Sequence, residues 1–238
     1  MELNEFKKII IEKGKKISVD LTEKQAEMYF NYMNILVEWN EKINLTSITE
    51  PNEIILKHFI DSLTVYKHIN KMSIIDVGTG AGFPGIPLKI VNKDIKITLL
   101  DSLNKRINFL NEVIEKLELE NIEAIHGRVE EVARNKVYRE CFDIAVSRAV
   151  APLNVLLEYM IPLIKVGGKC VCMKGSNAEE EISQSTNALK RLNAEIELVE
   201  NFELPGTDIK RNIVVVKKIA KTDNVFPRKA GTPSKKPL

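Results

Sequence analysis

Short apolar strands alternate with amphipathic helices from Ser73 onward, and this alternation limits the fold more than any other feature of the sequence. Five strand-like segments recur, at 73–77, 96–100, 121–126, 142–147 and 168–173. Helical patterns fill the intervals, near 84–91, 104–117, 129–136, 153–164 and 177–192. Strands separated by helices pair in parallel through right-handed crossovers, so that helices cover both faces of the sheet. The sequence therefore predicts a doubly wound α/β fold.

The pattern changes after the fifth helix. Two strand-like runs, 196–202 and 212–219, are joined by Leu204-Pro205-Gly206-Thr207 with no helix between them. Strands connected in this way pair antiparallel. A mostly parallel, seven-stranded sheet that ends in such a hairpin is more typical of methyltransferases than of nicotinamide dehydrogenases. The prediction is a class I Rossmann-like methyltransferase fold.

Three parts of the chain are distinguished: a helical N-terminal cap (1–70), the Rossmann-like core (71–219) and a basic C-terminal tail (220–238) packed on or near the core. In the cap, apolar residues recur at helical spacing without strand alternation. Thr22 is placed to cap one helix, and another helix after Pro51 is expected to reach toward Asn70. Trp39 is expected to pack in the core, with a base-stacking platform as the alternative.

Basic residues are concentrated at the C-terminal end. Residues 210–238 contain nine Lys or Arg and one acidic residue, a net charge of +8. Residues 1–209 contain 26 basic and 32 acidic residues, a net charge of −6. A basic end on an acidic body suggests a polyanionic partner, whereas a solvated, partly disordered tail is the alternative.

A glycine-rich loop, Asp76-Val77-Gly78-Thr79-Gly80-Ala81-Gly82, leaves the first strand and enters a helix. Its glycines, among them Gly78 and Gly80, let the backbone approach a ligand where a Cβ would clash. The dinucleotide fingerprint fails because Phe83 stands at its third glycine position, and no Lys-Ser/Thr pair completes a P-loop. The loop therefore disfavours NAD and ATP as ligands.

Further polar residues follow the second and third strands at the same edge of the sheet. Asp101 lies 23 residues after Gly78, where its carboxylate can accept hydrogen bonds from both ribose hydroxyls of a nucleoside or cap the following helix. Ser102 and Leu103 would line the adenine side. Backbone groups of Gly127-Arg128-Val129-Glu130 can bracket the adenine.

Arg148 ends the fourth strand and should face the same pocket. Its guanidinium could bind a carboxylate or an RNA phosphate, with an ion pair to a nearby acid as the alternative. Neither an Asn/Asp-Pro-Pro-Tyr/Phe loop for exocyclic amines nor a Cys nucleophile for cytosine C5 follows Val146. The pattern suits a ring nitrogen such as guanine N7, which needs alignment more than a base. Arg148 and Lys174 are the catalytic candidates, and Lys174 and Ser147 could hold the target base.

Other functional classes find little support in the sequence. Neither a Gly-x-Ser-x-Gly elbow nor a His-Glu-x-x-His motif is present, and the three cysteines (Cys141, Cys170 and Cys172) and three histidines lack zinc-ligand spacing. The cysteines are expected to be reduced, buried packing residues. Residues 1–20 contain no signal peptide or membrane span. We expect a cytoplasmic protein that binds neither a metal nor a membrane.

Six longer sequence motifs carry a family resemblance. They are Trp39-Asn40-Glu41-Lys42-Ile43-Asn44-Leu45-Thr46, His58-Phe59-Ile60-Asp61-Ser62-Leu63, the loop from Asp76 to Pro87, Asp101-Ser102-Leu103-Asn104-Lys105-Arg106, Ser147-Arg148-Ala149-Val150-Ala151, and Phe226-Pro227-Arg228-Lys229-Ala230-Gly231. These motifs, in this order and over essentially the whole chain, resemble those of the bacterial RsmG family, formerly called GidB. The resemblance implies methyl transfer from S-adenosylmethionine to N7 of the guanine at position 527 of 16S ribosomal RNA.

The resemblance also implies a set of site residues. The cofactor contacts that it implies are Gly78, Phe83, Asp101, Ser102, Leu103, Val129, Glu130 and Arg148, and the glycine loop itself adds Gly80 to the expected contacts. Val129 departs from the Ala that is common in the family, so a side-chain contact there would make the adenine pocket tighter. The expected RNA-facing residues are Arg211, Arg228, Lys229, Lys235 and Lys236. The expected partner is 16S ribosomal RNA or an assembling small subunit, bound by a monomer.

Two other hypotheses stay open at this stage. The acceptor could be a small molecule, in which case activity would be insensitive to salt, because contacts to RNA phosphates weaken steeply as salt rises. The chain could also be a non-catalytic RNA-binding or assembly protein with a vestigial pocket. The glycine loop and Asp101 argue against the second hypothesis.

Overall fold

The computed structural model describes residues 1–69 and 72–238. The N-terminal part is helical, as predicted, and comprises α1 (Leu3–Lys16), α2 (Glu23–Ile43), α3 (Pro51–Ile54), a π-helix (Ile55–Ile60), α4 (Asp61–Leu63) and a 3₁₀ turn (Tyr66–His68). Thr22 caps α2 in a capping box with Gln25, which fixes where this helix begins. The expected extension of the last helix to Asn70, and the boundary between 70 and 71, lie outside the described residues.

Seven strands form one sheet: β1 (Ser73–Val77), β2 (Lys96–Asp101), β3 (Ile122–His126), β4 (Phe142–Arg148), β5 (Ile164–Lys174), β6 (Ala194–Glu203) and β7 (Lys210–Lys218). Their spatial order is β3-β2-β1-β4-β5-β7-β6. The first five strands pair in parallel, and β7 is antiparallel to both β5 and β6. The predicted doubly wound sheet with a terminal antiparallel pair is confirmed.

The remaining helices are α5 (Gly85–Val91), α6 (Asn104–Lys116), α7 (Val129–Val132), α8 (Leu153–Met160), a 3₁₀ turn (Ile161–Leu163), α9 (Ala178–Ser183), α10 (Thr186–Arg191) and α11 (Thr232–Lys235). Successive residues of β1 bury opposite faces of the sheet. Ile74 packs with the core on the side of the cap, whereas Ile75 packs with the core formed by α8 and α10. This two-residue alternation is what a strand covered on both faces requires.

Several details differ from the sequence predictions. The predicted helix 129–136 ends at Val132, the predicted helix 153–164 ends at Met160, and the predicted helix 177–192 is divided into α9 and α10. β5 begins at Ile164 rather than at 168, because the chain pairs with Phe142 before an irregularity in the register with β4. Cys170 and Cys172 are buried in β5, but Cys141 is exposed just before β4. The expectation that all three cysteines are buried was therefore wrong for Cys141.

Helix α2 of the cap packs against the glycine loop and α5. The hydroxyl of Tyr29 donates to the Pro87 carbonyl at 2.7 Å, and the hydroxyl of Tyr32 donates to the Ala81 carbonyl. Trp39 packs edge-on against Phe109 with ring centroids 5.8 Å apart. The cap thus supports the glycine loop from behind, and Trp39 belongs to the packing between α2 and α6.

Candidate active site

The glycine loop begins with a buried carboxylate. Asp76 is fully buried, and its Oδ2 accepts hydrogen bonds from the Thr79 hydroxyl and the Gly85 backbone N–H at 2.7 and 2.8 Å. Its Oδ1 has no hydrogen-bond partner among the described residues. Burial raises the pKa of Asp76 to about 6, although the two hydrogen bonds oppose this shift. Asp76 therefore holds the two ends of the loop together.

Gly78 and Gly80 both have positive φ angles, +69° and +62°. A Cβ on Gly78 would come within 2.5 Å of a methyl group of Val150, whereas a Cβ on Gly80 would meet nothing within 4 Å. Of these two glycines, only Gly78 approaches a neighbour closely; Gly82, the last glycine of the loop, also does so, because its Cβ would lie 2.6 Å from Ile86 and from the Tyr32 hydroxyl. Gly78, rather than Gly80, keeps the space next to the loop open.

A cavity of about 430 Å³, here called the glycine-loop pocket, lies at the carboxyl edge of the parallel strands. It is lined by Val77, Gly78, Leu100, Asp101, Ser102, Arg106, Gly127, Arg128, Val129, Glu130, Ala149, Val150, Tyr159, Gly231 and Ser234. Five of the expected cofactor contacts line it: Gly78, Asp101, Ser102, Val129 and Glu130. The other four, Gly80, Phe83, Leu103 and Arg148, lie outside this lining.

Asp101 links the second strand to the glycine loop. Its residue exposure is 2%, and its Oδ2 accepts from the Gly80 backbone N–H at 2.9 Å. Its Oδ1 accepts from the Leu103 backbone N–H at 3.0 Å, and Arg106 lies 3.1 Å from Oδ2. The carboxylate therefore borders the pocket and accepts from the residue that precedes α6, but it does not cap this helix, whose N-cap position is Leu103.

A second cavity of about 620 Å³, here called the arginine pocket, adjoins the first, because Ala149 and Val150 line both. Its lining consists of Ile48, Lys57, His58, Asp61, Arg148, Ala149, Val150, Ala151, Pro152, Met173, Lys174, Gly175, Glu181 and Arg211. These residues come from the cap, β4, β5, α9 and β7. The two pockets therefore share a wall formed by Ala149 and Val150.

Arg148 is the centre of a charge network in the arginine pocket. Its Nη1 donates to Asp61 Oδ2 at 3.2 Å, and Arg211 Nε donates to Asp61 Oδ1 at 3.0 Å. The Asp61 side chain is only 4% exposed, and those of Arg148 and Arg211 are 15% and 25% exposed. One buried carboxylate thus serves two arginines, which leaves this part of the pocket with an excess of positive charge.

His58 and Phe83 support the Arg148 guanidinium. The guanidinium carbon lies 4.9 Å from the Phe83 ring centroid, and the His58 ring stacks on Phe83 at 4.5 Å. Arg148 Nη2 lies 3.3 Å from His58 Nδ1, and His58 Nε2 lies 2.9 Å from the Thr46 hydroxyl. Burial, and then the positive charge of Arg148, lower the pKa of His58 to about 3. The ring is therefore neutral and accepts from Arg148.

The π-helix of the cap provides a further contact to Arg148. The carbonyl of Lys57, inside this helix, accepts from Arg148 Nη1 at 2.9 Å. π-Helical turns are rare and often occur at functional sites. Here the turn places a carbonyl, His58 and Asp61 around a single guanidinium.

Lys174 and Glu181 also line the arginine pocket, where they form an ion pair. Lys174 Nζ lies 2.7 Å from Glu181 Oε2 and donates to the Ala151 carbonyl at 2.6 Å. The same Oε2 accepts from the Leu153 backbone N–H at 2.7 Å. Ser147, by contrast, is fully buried and donates to the Val77 carbonyl, so it lines neither pocket. Of the two residues considered for holding a base, the geometry favours Lys174.

The basic residues of the C-terminal tail fall into two groups. Lys229, Lys235 and Lys236 are exposed. Arg228 instead forms an ion pair with the buried Glu158, at 2.6 Å, so its guanidinium is already neutralised within the protein. Lys218, counted with the basic end of the sequence, is likewise buried and paired with Glu140 at 2.6 Å.

Several site residues were not identified by reasoning from the sequence: His58, Asp61, Glu181, Tyr159 and Ser234. His58 and Asp61 lie in one of the motifs that supported the family resemblance, and nothing else in the sequence indicated a role for them. Nothing in the sequence near Glu181, Tyr159 or Ser234 indicates a pocket, because each reaches it through tertiary packing. Within residues 1–69 and 72–238, we find no cluster of three potential metal ligands and no helix long and apolar enough to cross a membrane.

Solved structures share this fold. A SAM-dependent methyltransferase from Aquifex aeolicus superposes with a TM-score of 0.54 at 18% identity, covering 73% of this chain and 96% of that one. TYW2 from M. jannaschii, solved in complex with AdoMet, gives a TM-score of 0.52 at 16% identity and covers 67% of this chain and 77% of that one. The sheet order and the glycine loop at its edge thus define the Rossmann-like methyltransferase class of fold.

Sequence relatives define the family within that class. The family model described as "GidB: rRNA small subunit methyltransferase G" matches residues 24–214. The ribosomal RNA small subunit methyltransferase G of Acetivibrio thermocellus is 51% identical over 98% of this chain and 97% of its own length. The protein of the same name from Clostridium perfringens strain SM101 is 50% identical over 93% and 94%. The chain belongs to the rRNA small subunit methyltransferase G family, which confirms the resemblance to RsmG.

Proposed function

We propose that this protein transfers a methyl group from S-adenosylmethionine to N7 of guanine 527 in 16S ribosomal RNA. The observation that carries the proposal is the junction of the two pockets at Ala149 and Val150. One pocket has the features of a nucleoside site, and the other has room and charge for an RNA base. The cofactor would supply an activated methyl group at this junction.

The residues of the glycine-loop pocket fit the cofactor. Gly78 leaves room where a Cβ would collide with Val150, and the Asp101 carboxylate borders the pocket at the end of β2. A carboxylate at this position can accept from the ribose hydroxyls. Backbone groups at Val129 and Glu130 are in place to bracket the adenine. Arg148 lies in the adjoining pocket, where it can bind the carboxylate of the methionine moiety.

The arginine pocket fits a guanine. Next to N7, guanine presents the O6 acceptor and then the N1–H and N2–H donors along its edge. Lys174 can donate to O6, and the Glu181 carboxylate beside it can accept from N1–H. Adenine carries a donor where guanine has O6 and lacks N1–H, so the same pair would reject it. These two residues are our candidates for selecting the base.

The site needs no general base. The N7 lone pair of guanine is free, so aligning it with the methyl group is the main requirement, and such alignment can contribute about 7–11 kcal/mol. His58 would be the nearest imidazole, but both its ring nitrogens are engaged, by Arg148 and by Thr46. Positioning by the pocket walls therefore replaces proton transfer.

RNA would bind across the mouths of both pockets. Arg211 lines the arginine pocket, and Lys235 and Lys236 follow Ser234, which lines the glycine-loop pocket. With Lys229, these side chains can contact phosphates, whereas Arg228 would hold the tail in place instead of contacting RNA. We propose that a monomer acts in the cytoplasm, on 16S RNA or on an assembling small subunit.

The test is transfer of tritiated methyl from S-adenosylmethionine to small subunits and RNA from a strain that lacks the gene, with Asp101→Ala as the inactive control. The expected result is label at N7 of one guanine with wild-type protein and none with the variant. Label at another base, or on a protein, would contradict the assignment of the acceptor. Activity that does not fall as salt is raised would favour a small-molecule acceptor.

The selecting pair has its own test. Glu181→Gln retains the size and a hydrogen-bond acceptor but loses the charge, so kcat should fall about tenfold while the Kd for S-adenosylmethionine stays unchanged. Glu179→Gln, on the exposed first turn of the same helix, is the matched control and should leave kcat unchanged. Equal loss of kcat and cofactor affinity in Glu181→Gln would show a structural role instead.

A further inference from the structure

Buried charge fixes the C-terminal tail (220–238) on helix α8. The Glu158 side chain is fully buried, and its carboxylate accepts from the backbone N–H, Nε and Nη2 of Arg228 at 2.6–3.1 Å. Arg134 and Arg139 donate to tail carbonyls, among them that of Phe226 at 2.7 Å. Removing one partner of a buried pair is strongly destabilising, so the tail is held in one position.

The anchored tail forms part of the wall of the glycine-loop pocket. Gly231 and Ser234 line the pocket, as do Glu130 and Tyr159, which they contact. The Gly231 N–H donates to Glu130 Oε1 at 2.9 Å, and the hydroxyls of Ser234 and Tyr159 are 2.8 Å apart. The tail therefore reaches the pocket at Glu130, on the side where the adenine is proposed to bind.

We propose that the tail is a cofactor-binding element, with the paired hydroxyls of Tyr159 and Ser234 contacting the adenosine end of S-adenosylmethionine. Hydroxyls donate and accept, so the pair can satisfy both the exocyclic amine and a ring nitrogen of adenine. The inference rests on the cofactor of the proposed function but not on its acceptor. The family model matches residues 24–214 and stops short of the tail.

The test measures binding by calorimetry with two probes: S-adenosylmethionine and 5′-methylthioadenosine, which has the adenosine end but no amino-acid moiety. Ser234→Ala and Tyr159→Phe each remove one hydroxyl, and we expect the Kd for both probes to rise about three- to tenfold. Removal of residues 231–238 should raise both Kd values at least tenfold. Lys221→Ala, an exposed residue at the start of the same tail, is the matched control and should leave both unchanged.

The outcomes separate this inference from the proposed function. Failure of the wild-type protein to bind either probe would contradict the cofactor assignment itself. Wild-type binding that Ser234→Ala and Tyr159→Phe leave unchanged would overturn the role of the tail. A rise in Kd for S-adenosylmethionine alone would also overturn it, because the affected contact would then lie at the methionine end. Because the point variants remove only hydroxyls, the result does not depend on whether the shortened chain folds.

Discussion

The two adjoining pockets are formed by different parts of the chain, one mainly by backbone and the other mainly by charged side chains. The glycine-loop pocket depends on backbone that passes close to its surroundings, at loops that directly follow strands β1, β2 and β3. The arginine pocket depends on charged side chains, and its central carboxylate, Asp61, is 150 residues away from Arg211 along the chain. The first pocket therefore requires that certain Cβ atoms be absent, whereas the second requires that each buried charge have a partner.

The largest expected effect tests the pairing of buried charges. Asp61→Asn removes the carboxylate shared by Arg148 and Arg211, which leaves a buried guanidinium without its partner, and we expect a loss of about 3 kcal/mol in the free energy of unfolding. Denaturant unfolding measures it. Glu197→Gln removes an exposed carboxylate paired with Lys169 and should change stability by less than about 0.5 kcal/mol. Similar losses in both variants would show that the buried pair is worth no more than an exposed one, and that the arginine pocket does not depend on buried charge.

The next effect tests the backbone requirement. Gly78→Ala combines a positive φ with a Cβ 2.5 Å from Val150, whereas Gly80→Ala has a positive φ but no close neighbour. We expect the Kd for S-adenosylmethionine to rise at least tenfold in Gly78→Ala. Gly80→Ala should chiefly lose about 1 kcal/mol of stability, the cost of the left-handed conformation. If calorimetry finds the two variants equally impaired in binding, strain rather than close approach governs the loop.

The prediction with the smallest effect at neutral pH concerns the pH dependence of stability, because His58 is uncharged in both the folded and the unfolded state well above pH 6.5. The folded-state pKa of His58, about 3, is below its usual value of 6.5, so this residue contributes its full stability above pH 6.5 and loses it as pH falls. The maximum slope is about 1.4 kcal/mol per pH unit. Below pH 6.5, His58→Gln should lose stability less steeply than wild type does. Parallel unfolding curves for the two proteins between pH 6.5 and 4.5 would contradict this.

Asp76 also makes the stability of the protein depend on pH. The test therefore compares the pH dependence of stability in His58→Gln with that in wild type, rather than interpreting either protein alone. The folded-state pKa of Asp76, about 6, is above the usual 3.8, so its contribution favours the folded state at low pH and is lost as pH rises toward 6. The two groups therefore act in opposite directions over part of the same range. The difference between His58→Gln and wild type isolates the histidine, since both proteins retain Asp76.

The features that could be predicted from the sequence are mostly those of the glycine-loop pocket, which depends on local patterns, rather than those of the arginine pocket. Strand alternation, the glycine loop and Asp101 are local patterns, and they correctly gave the sheet, its terminal hairpin and much of the glycine-loop pocket. Arg148 was placed at the right edge, but the carboxylate that pairs with it comes from the cap. Tyr159 and Ser234 meet only because the tail folds back onto α8. Contacts of this kind depend on tertiary packing, which leaves no periodic signal in a single sequence.

The long separation between Asp61 and Arg211 has a consequence for how the protein folds. Closing a loop of 150 residues has an entropic cost that local contacts do not have, so we expect this ion pair to form after the sheet that carries Arg211 has assembled. An interaction that is absent from the folding transition state alters the unfolding rate and leaves the folding rate nearly unchanged. We therefore expect the cap network to prolong the lifetime of the folded protein rather than to speed its formation.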